Sequence, residues 1–218
     1  MTRVSLILLA VCLLAASQAG ATVVTSLPSS AFIQMPAVDY TGSGPQTYNG
    51  VTWTSTNATN HGGSVYGYTA TYRFAGNGSW DGTLGPMAGV NDSFNNYGVT
   101  DTMTFAFATP VSIIGGFLNY VPGGSTPTTI AVYDSSHSLI ESYNLTFLTG
   151  GGTDTGQTLG FSESTADISY FTLSDNFIGI VGIPGTSVTS SVPEPGSMML
   201  LVSGILLAIG LGRRRFSR

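Results

Sequence analysis

Side chains of the kinds that bind neutral sugars are concentrated between residues 66 and 97. Flat aromatic faces stack on the C–H surfaces of sugars, while amides, carboxylates and guanidinium groups hydrogen bond to the hydroxyls. The candidates are Tyr66, Tyr68, Tyr72, Arg73, Trp80, Asp81, Asn91, Asp92 and Tyr97. We predict glycan contact by Trp80, Asp81 and Arg73, because Gly78 and Gly82 flank the tryptophan and let its loop protrude. The alternative is that the tyrosines alternate into a core and Trp80 closes one end of a sandwich.

The same part of the chain contains three acids that offer catalytic chemistry. A pair of carboxylates across a glycosidic bond is sufficient for glycoside hydrolysis, and Asp81, Asp92 and Asp101 are the candidates. Each of them stands in a turn-like context, where aspartate usually caps backbone groups. We therefore predict no catalytic residues and no enzyme, with a carbohydrate-active enzyme on a β-sandwich as the alternative.

Metal ligands are sparse. His61 and His137 are far apart in Ser-, Asn- and Gly-rich loops, and Cys12 is the single cysteine, so zinc is disfavoured. Oxygen ligands for calcium are available on loops, namely Asp81, Asn91, Asp92 and Asp154, but no EF-hand spacing organises them. We predict no cofactor and no metal site, and a structural calcium ion is the open alternative.

The charge distribution excludes one class of partner. Of the six basic residues, Arg3 lies near the start and four arginines lie after residue 212, which leaves Arg73 alone in the region from 22 to 191. That region contains ten of the eleven acids, so its formal charge is about −9. Nucleic-acid binding needs clustered Lys and Arg to neutralise phosphates. The sequence therefore predicts no nucleic-acid partner.

The elements that must position these side chains are β-strands. Glycine is frequent, with 29 residues, and it falls with Asn, Asp, Ser and Pro between short runs rich in β-branched and aromatic residues. In 102–107, Met103, Phe105 and Phe107 share one face, while Thr104 lies on the other. Strands at this spacing without helices predict an all-β antiparallel sandwich or jelly roll over residues 22–191.

Two hairpins are predicted in the second half of this region. The first joins the runs 128–133 and 139–147 across a five-residue turn that contains His137. The second joins the runs 167–173 and 177–183 across Ser174, Asp175 and Asn176.

The first 21 residues have the three regions of a secretory signal peptide. Arg3 supplies the basic start, residues 4–16 are apolar, and Ala19-Gly20-Ala21 provides the small residues of a cleavage site. We predict a signal peptide over 1–21 with cleavage after Ala21, and cleavage after Ala19 as the alternative. Cys12 would be removed with it.

The last 27 residues, 192–218, form a second addressing segment. Val192-Pro193-Glu194-Pro195 precedes an uncharged stretch, 196–212, and the cluster Arg213, Arg214, Arg215 follows it. As a helix the stretch would measure roughly 25 Å, slightly less than a bilayer usually requires. Arginines on one flank favour the cytoplasm, which places the preceding residues on the far side.

This arrangement resembles the PEP-CTERM sorting signal of exported bacterial proteins. The resemblance implies processing by an exosortase, a membrane enzyme similar to cysteine transpeptidases, in cells that produce extracellular polysaccharide. It also implies a transmembrane helix at 196–212 before processing, and then a location at the cell surface or in the extracellular matrix. The segments 107–120, 131–145 and 166–183 resemble the bodies of many proteins of that group. The resemblance implies a jelly roll similar to galactose-binding or carbohydrate-binding domains.

These features together predict a secreted, non-enzymatic surface or matrix protein with a structural or adhesive role. Its predicted partners are the exosortase, the membrane before processing, and extracellular polysaccharide. A third candidate is an ice-binding-type surface protein, which rows of Thr-x-Thr would support. The pairs Thr52/Thr54, Thr69/Thr71 and Thr102/Thr104 are scattered in the sequence, and ordinary strand alternation accounts for them.

Overall fold

The computed structural model describes residues 20–57, 64–91, 101–123, 126–175 and 177–184. The two helices in these ranges are short 3₁₀ turns, Ser29–Ala31 and Ala75–Asn77, and the other regular elements are strands. Within the described ranges, no helix has the length and apolar character needed to cross a membrane. The predicted signal peptide up to residue 19 and the predicted tail, 192–218, lie outside these ranges.

The strands are short except in the middle of the chain. In chain order they are β1 Thr22–Val24, β2 Gln34–Met35, β3 Tyr40–Thr41, β4 Gln46–Tyr48, β5 Val51–Ser55, β6 Val65–Tyr68, β7 Tyr72–Arg73, β8 Ser79–Trp80, β9 Met87–Asn91, β10 Asp101–Val111, β11 Ile113–Tyr120, β12 Thr129–Tyr133, β13 Leu139–Asn144, β14 Gln157–Ser162, β15 Ile168–Asp175, β16 Phe177–Val181 and β17 Ile183–Pro184.

Two antiparallel sheets form the body. The seven-stranded sheet has the order β1-β14-β11-β16-β9-β6-β3, and the six-stranded sheet has the order β13-β12-β15-β10-β5-β4. From β9 onward the chain alternates between the sheets except at the β12–β13 hairpin, whose two strands lie in the six-stranded sheet. The strand orders place β9, β16, β11 and β14 opposite β10, β15, β12 and β13. The predicted all-β antiparallel sandwich is confirmed, and this strand order is consistent with a jelly roll.

The main core lies between the two sheets. Phe171 of the six-stranded sheet packs against Phe161 of the seven-stranded sheet with 6.4 Å between ring centroids. Trp53 and Tyr66 stack across the sheets at 5.3 Å. The predicted alternation in β10 is confirmed, because Phe105 is fully buried while its neighbour Thr104 is partly exposed.

A second apolar cluster covers the outer face of the seven-stranded sheet. It consists of Val65, Tyr72, Phe74, Trp80, Met87 and Val181. The paired residues Gly89 and Gly179 provide a track without side chains on this face. A Cβ atom added at Gly179 would lie 2.9 Å from Trp80 Cζ3, so the glycines allow the aromatic rings to lie directly on the sheet.

The first predicted hairpin is confirmed, since β12 pairs with β13 in antiparallel register. The second is wrong. Strand β15 pairs with β10 and β12 in the six-stranded sheet, whereas β16 pairs with β11 and β9 in the seven-stranded sheet. The chain therefore passes from one sheet to the other after β15, and Asp175 is the buried last residue of that strand rather than part of a hairpin turn.

Candidate functional site

Trp80 does not present a sugar-binding face in this structure. Its side chain is only 2% exposed and packs edge-on against Phe74, with 4.6 Å between ring centroids. At Gly82 the backbone lies directly against Thr69. Only glycine allows this approach, because a Cβ atom at Gly82 would lie 1.9 Å from the carbonyl oxygen of Thr69. The prediction that the loop protrudes is wrong, and the physical reason is this close backbone approach at positive φ.

The other two predicted glycan contacts, Arg73 and Asp81, are exposed. Arg73 pairs across the small β7/β8 sheet with Ser79, on the side opposite to the buried ring of Trp80. The structure thus separates the three predicted side chains. The charged groups face solvent, and the tryptophan faces the second core cluster.

Asp81 and Asp154, two of the four calcium candidates, meet through one threonine. The Thr83 hydroxyl donates to Asp154 Oδ2 at 2.6 Å, and the Thr83 backbone N–H donates to Asp81 Oδ1 at 3.0 Å. The bonds from Thr83 hold the pKa of Asp81 below its usual range. Asp92 and the side chain of Asn91 lie outside the described part. Among described residues there is no group of three or more His, Cys, Asp or Glu that could hold a metal ion.

A buried amide pair, which the sequence analysis did not identify, anchors the same region. Asn77 Nδ2 donates to Asn119 Oδ1 at 2.8 Å, and Asn119 Nδ2 donates to the Asn77 carbonyl oxygen at 2.8 Å. Asn119 Nδ2 also donates to the Thr155 carbonyl oxygen, and Asn77 Oδ1 accepts from the Thr149 backbone N–H. The pair ties strand β11 to the loop after β7 and to the loop before β14. Spacing in the sequence gives no signal for such a pair.

Two of the three candidate carboxylates, Asp81 and Asp101, lie in the described ranges, and the structure places them apart. Asp101 begins β10, is buried, and accepts a hydrogen bond from Thr56 Oγ1 at 2.7 Å. Asp81 follows β8 on the outer side of the seven-stranded sheet, in a different layer, and Asp92 lies outside the described residues.

The acid directly opposite Asp101 is Asp175, which the sequence analysis placed in a turn. It is also buried, and it accepts a hydrogen bond from the Thr128 hydroxyl. Burial, and then the charge of Asp175, raise the pKa of Tyr120. The two opposed acids therefore lie at one end of the core, each bonded to a threonine hydroxyl.

His137 occupies the β12–β13 turn, with a positive φ of 61°. Its ring stacks on Tyr170 with 4.1 Å between centroids. His61 lies outside the described ranges. The structure thus gives His137 a packing contact at the end of the six-stranded sheet.

The outer face of the six-stranded sheet has a distinct composition. The strand registers align its outward side chains in three rows, here called the hydroxyl face. The first row is Thr54, Thr104, Thr172, Ala131 and Ser142; the second is Thr102, Ser174, Thr129 and Asn144; the third is Thr47, Thr52, Ala106, Tyr170, Tyr133 and the exposed Leu139. None of these side chains carries a formal charge. The pairs Thr52/Thr54 and Thr102/Thr104, scattered in the sequence, are neighbours here.

Fold and motif together define a class, an exported β-sandwich protein with a C-terminal sorting tail. The family model for the PEP-CTERM protein-sorting motif matches residues 191–215, so the predicted motif is confirmed. The matched region includes Val192, Pro193, Glu194 and Pro195 and the arginines Arg213, Arg214 and Arg215. The chain thus carries the signal of an exosortase-targeted protein, which implies export and a C-terminal membrane anchor before processing. No curated protein and no solved structure matches the chain.

Proposed function

We propose that this protein is a non-enzymatic component of the cell surface or the extracellular polysaccharide matrix, with a structural or adhesive role that includes contact with carbohydrate. The single observation that carries the proposal is the sorting motif at 191–215, which follows a β-sandwich body. The exosortase would process the tail, and the body would be the part that acts outside the membrane.

The described acids support a structural role for the body. Asp134 accepts hydrogen bonds from the backbone N–H groups of Ser136 and Ser138, both at 2.8 Å, and so closes the β12–β13 turn. Asp101 and Asp175 are bonded to threonine hydroxyls at strand ends. A glycoside hydrolase needs an acid and a base facing one sugar-binding cleft. These acids instead hold turns and strand ends in place.

A second candidate, an ice-binding-type surface protein, is favoured by one observation. The hydroxyl face places the partly exposed Thr54 beside Thr104, and Thr104 beside Thr172, which is buried. Regular threonine rows are what such a protein would require. Inhibition of ice recrystallisation by the exported protein, lost in a Thr104→Arg variant, would support this candidate over the matrix role.

Cell fractionation tests the leading proposal. Replacing Pro193, Glu194 and Pro195 by Ala removes the motif but keeps the hydrophobic stretch and the arginines. We expect the wild-type body to leave the membrane fraction in a host with the exosortase, and the triple variant to stay in it. A host without the exosortase provides the matched control, since the wild type should then behave like the variant. Equal release in all three cases would contradict the proposal.

A further inference from the structure

The two outer faces of the sandwich differ in chemistry. The outer face of the seven-stranded sheet is apolar, and the chain covers it with Tyr72, Phe74 and Trp80. The hydroxyl face is formed by Thr, Ser, Ala, Asn and Tyr side chains and by Leu139, and most of them are partly exposed. Thr172 and Ala131, at the centre of the first row, are buried. Solvent-facing sheet surfaces and protein surfaces in general carry many charged residues. The three rows contain neither Arg73 nor any of the ten acids of residues 22–191, so this face is neutral.

The absence of charge on this face defines the kind of partner that fits it. A polyanion would be repelled by the acidic body, and a cation would find no carboxylate on this face. A neutral polymer rich in hydroxyl groups meets neither obstacle. Each Thr and Ser hydroxyl offers one donor and two acceptor positions, and the threonine methyl groups add apolar contact.

The hydroxyls are partly organised by one another. Thr102 Oγ1 and Ser174 Oγ lie 2.9 Å apart, and Thr129 Oγ1 donates to Asn144 Oδ1 at 2.9 Å. Each pair holds its side chains in fixed positions and leaves lone pairs for a partner. Across the strands the side chains repeat at about 4.8 Å, and along a strand at about 6.7 Å. An extended chain lying along a row would meet the same chemistry repeatedly.

One end of the hydroxyl face adds aromatic surface. Tyr133 and Tyr170 are paired residues of neighbouring strands, and His137 stacks on Tyr170. Aromatic rings complement the C–H faces of sugars. A twisted sheet turns by roughly 20° from strand to strand, which favours a flexible polymer over a planar crystal lattice.

We propose that the hydroxyl face binds an extended neutral polysaccharide. The inference rests on the proposed matrix function and assigns its carbohydrate contact to a surface other than Arg73, Trp80 and Asp81.

The test uses the exported protein purified from its host, with dextran and cellulose as neutral probes and alginate as an anionic one. We expect dextran to retard the protein in affinity electrophoresis and cellulose to retain it, without effect of alginate. Thr104→Arg, in the middle of the first row, should weaken both interactions about tenfold or more, because it places a charge against a neutral partner. Ser164→Arg, in an exposed turn, adds the same charge as a control.

Ser142→Arg, at the exposed edge of the first row, gives a second variant if Thr104→Arg unfolds, which circular dichroism would reveal. Neutral-glycan binding that survives in the folded row variants would overturn the inference. So would the absence of any binding to dextran or cellulose, or ice recrystallisation inhibition in place of glycan binding. A protein that is exported and processed but binds no neutral glycan contradicts this inference alone, whereas failure of processing contradicts the proposed function.

Discussion

Asn77 and Asn119 hydrogen bond to each other inside the protein, with 2.8 Å between Asn77 Nδ2 and Asn119 Oδ1. Asn119 is fully buried and Asn77 is 4% exposed. Buried amides are costly unless every polar atom has a hydrogen-bond partner. The side chains of this pair bond to each other and to backbone groups of Asn77, Thr149 and Thr155. The pair joins the 75–77 turn to β11 and so helps to hold the 75–83 segment, with Trp80, onto the body.

Removing one member of this pair should be severe. We expect Asn119→Ala to lower the free energy of unfolding by about 2–3 kcal/mol, because the amide of Asn77 loses its partner in a buried site. Gln157→Ala, at an exposed strand position, should change it by less than about 0.5 kcal/mol. Urea denaturation followed by circular dichroism measures both, and equal losses would contradict the role assigned to the pair.

Trp80 should behave as a core residue. With Trp53 replaced by Phe, the emission of Trp80 should be blue-shifted and unchanged by dextran, because the ring is 2% exposed. Trp80→Ala should cost on the order of 3–5 kcal/mol and lower the melting temperature by many degrees. Red-shifted emission that responds to the glycan would show that the ring faces solvent.

The two faces of β10 give a third test. Phe105→Ala should cost about 3–5 kcal/mol, since the ring is fully buried between the sheets. Thr104→Ala, on the hydroxyl face, should cost less than about 1 kcal/mol. Similar losses in thermal or chemical denaturation at the two positions would mean that the outer face is as tightly packed as the core.

The parts of the fold that follow from local pattern could be predicted from the sequence. Strand β10 and the β12–β13 hairpin depend on alternation and on turn residues close in the chain, and both are confirmed. The sorting motif was also predictable, because it is a linear signal with its three parts in order.

The features that depend on pairing between distant strands could not be predicted. The 174–176 connection has the length of a hairpin turn, yet β15 and β16 belong to different sheets because each pairs with other partners. The ring of Trp80 lies against Gly179, about 100 residues away in the chain, and nothing near residue 80 indicates that contact. The hydroxyl face arises only when Thr52 and Thr54 pair with β10.

The start of the mature chain is a fourth prediction. Ala21 is 5% exposed and belongs to the main core, and β1 begins at the next residue, Thr22. Cleavage after Ala21 would remove this buried side chain and leave a charged amino group at the first residue of β1. We therefore expect cleavage after Ala19, so that N-terminal sequencing of the exported protein begins at Gly20. A sequence that begins at Thr22 would show that Ala21 is dispensable.

We infer that the C-terminal tail is a signal that the exosortase processes. Pro193 and Pro195 fix φ and favour an extended backbone around Glu194, as a protease substrate requires. The most direct measurement is the intact mass of the protein released from cells that contain the exosortase. We expect a mass that lacks the apolar stretch 196–212 and the arginines after it. The Pro193-Glu194-Pro195 to Ala variant should keep both and stay in the membrane. Released protein that retains Arg213, Arg214 and Arg215 would contradict the account.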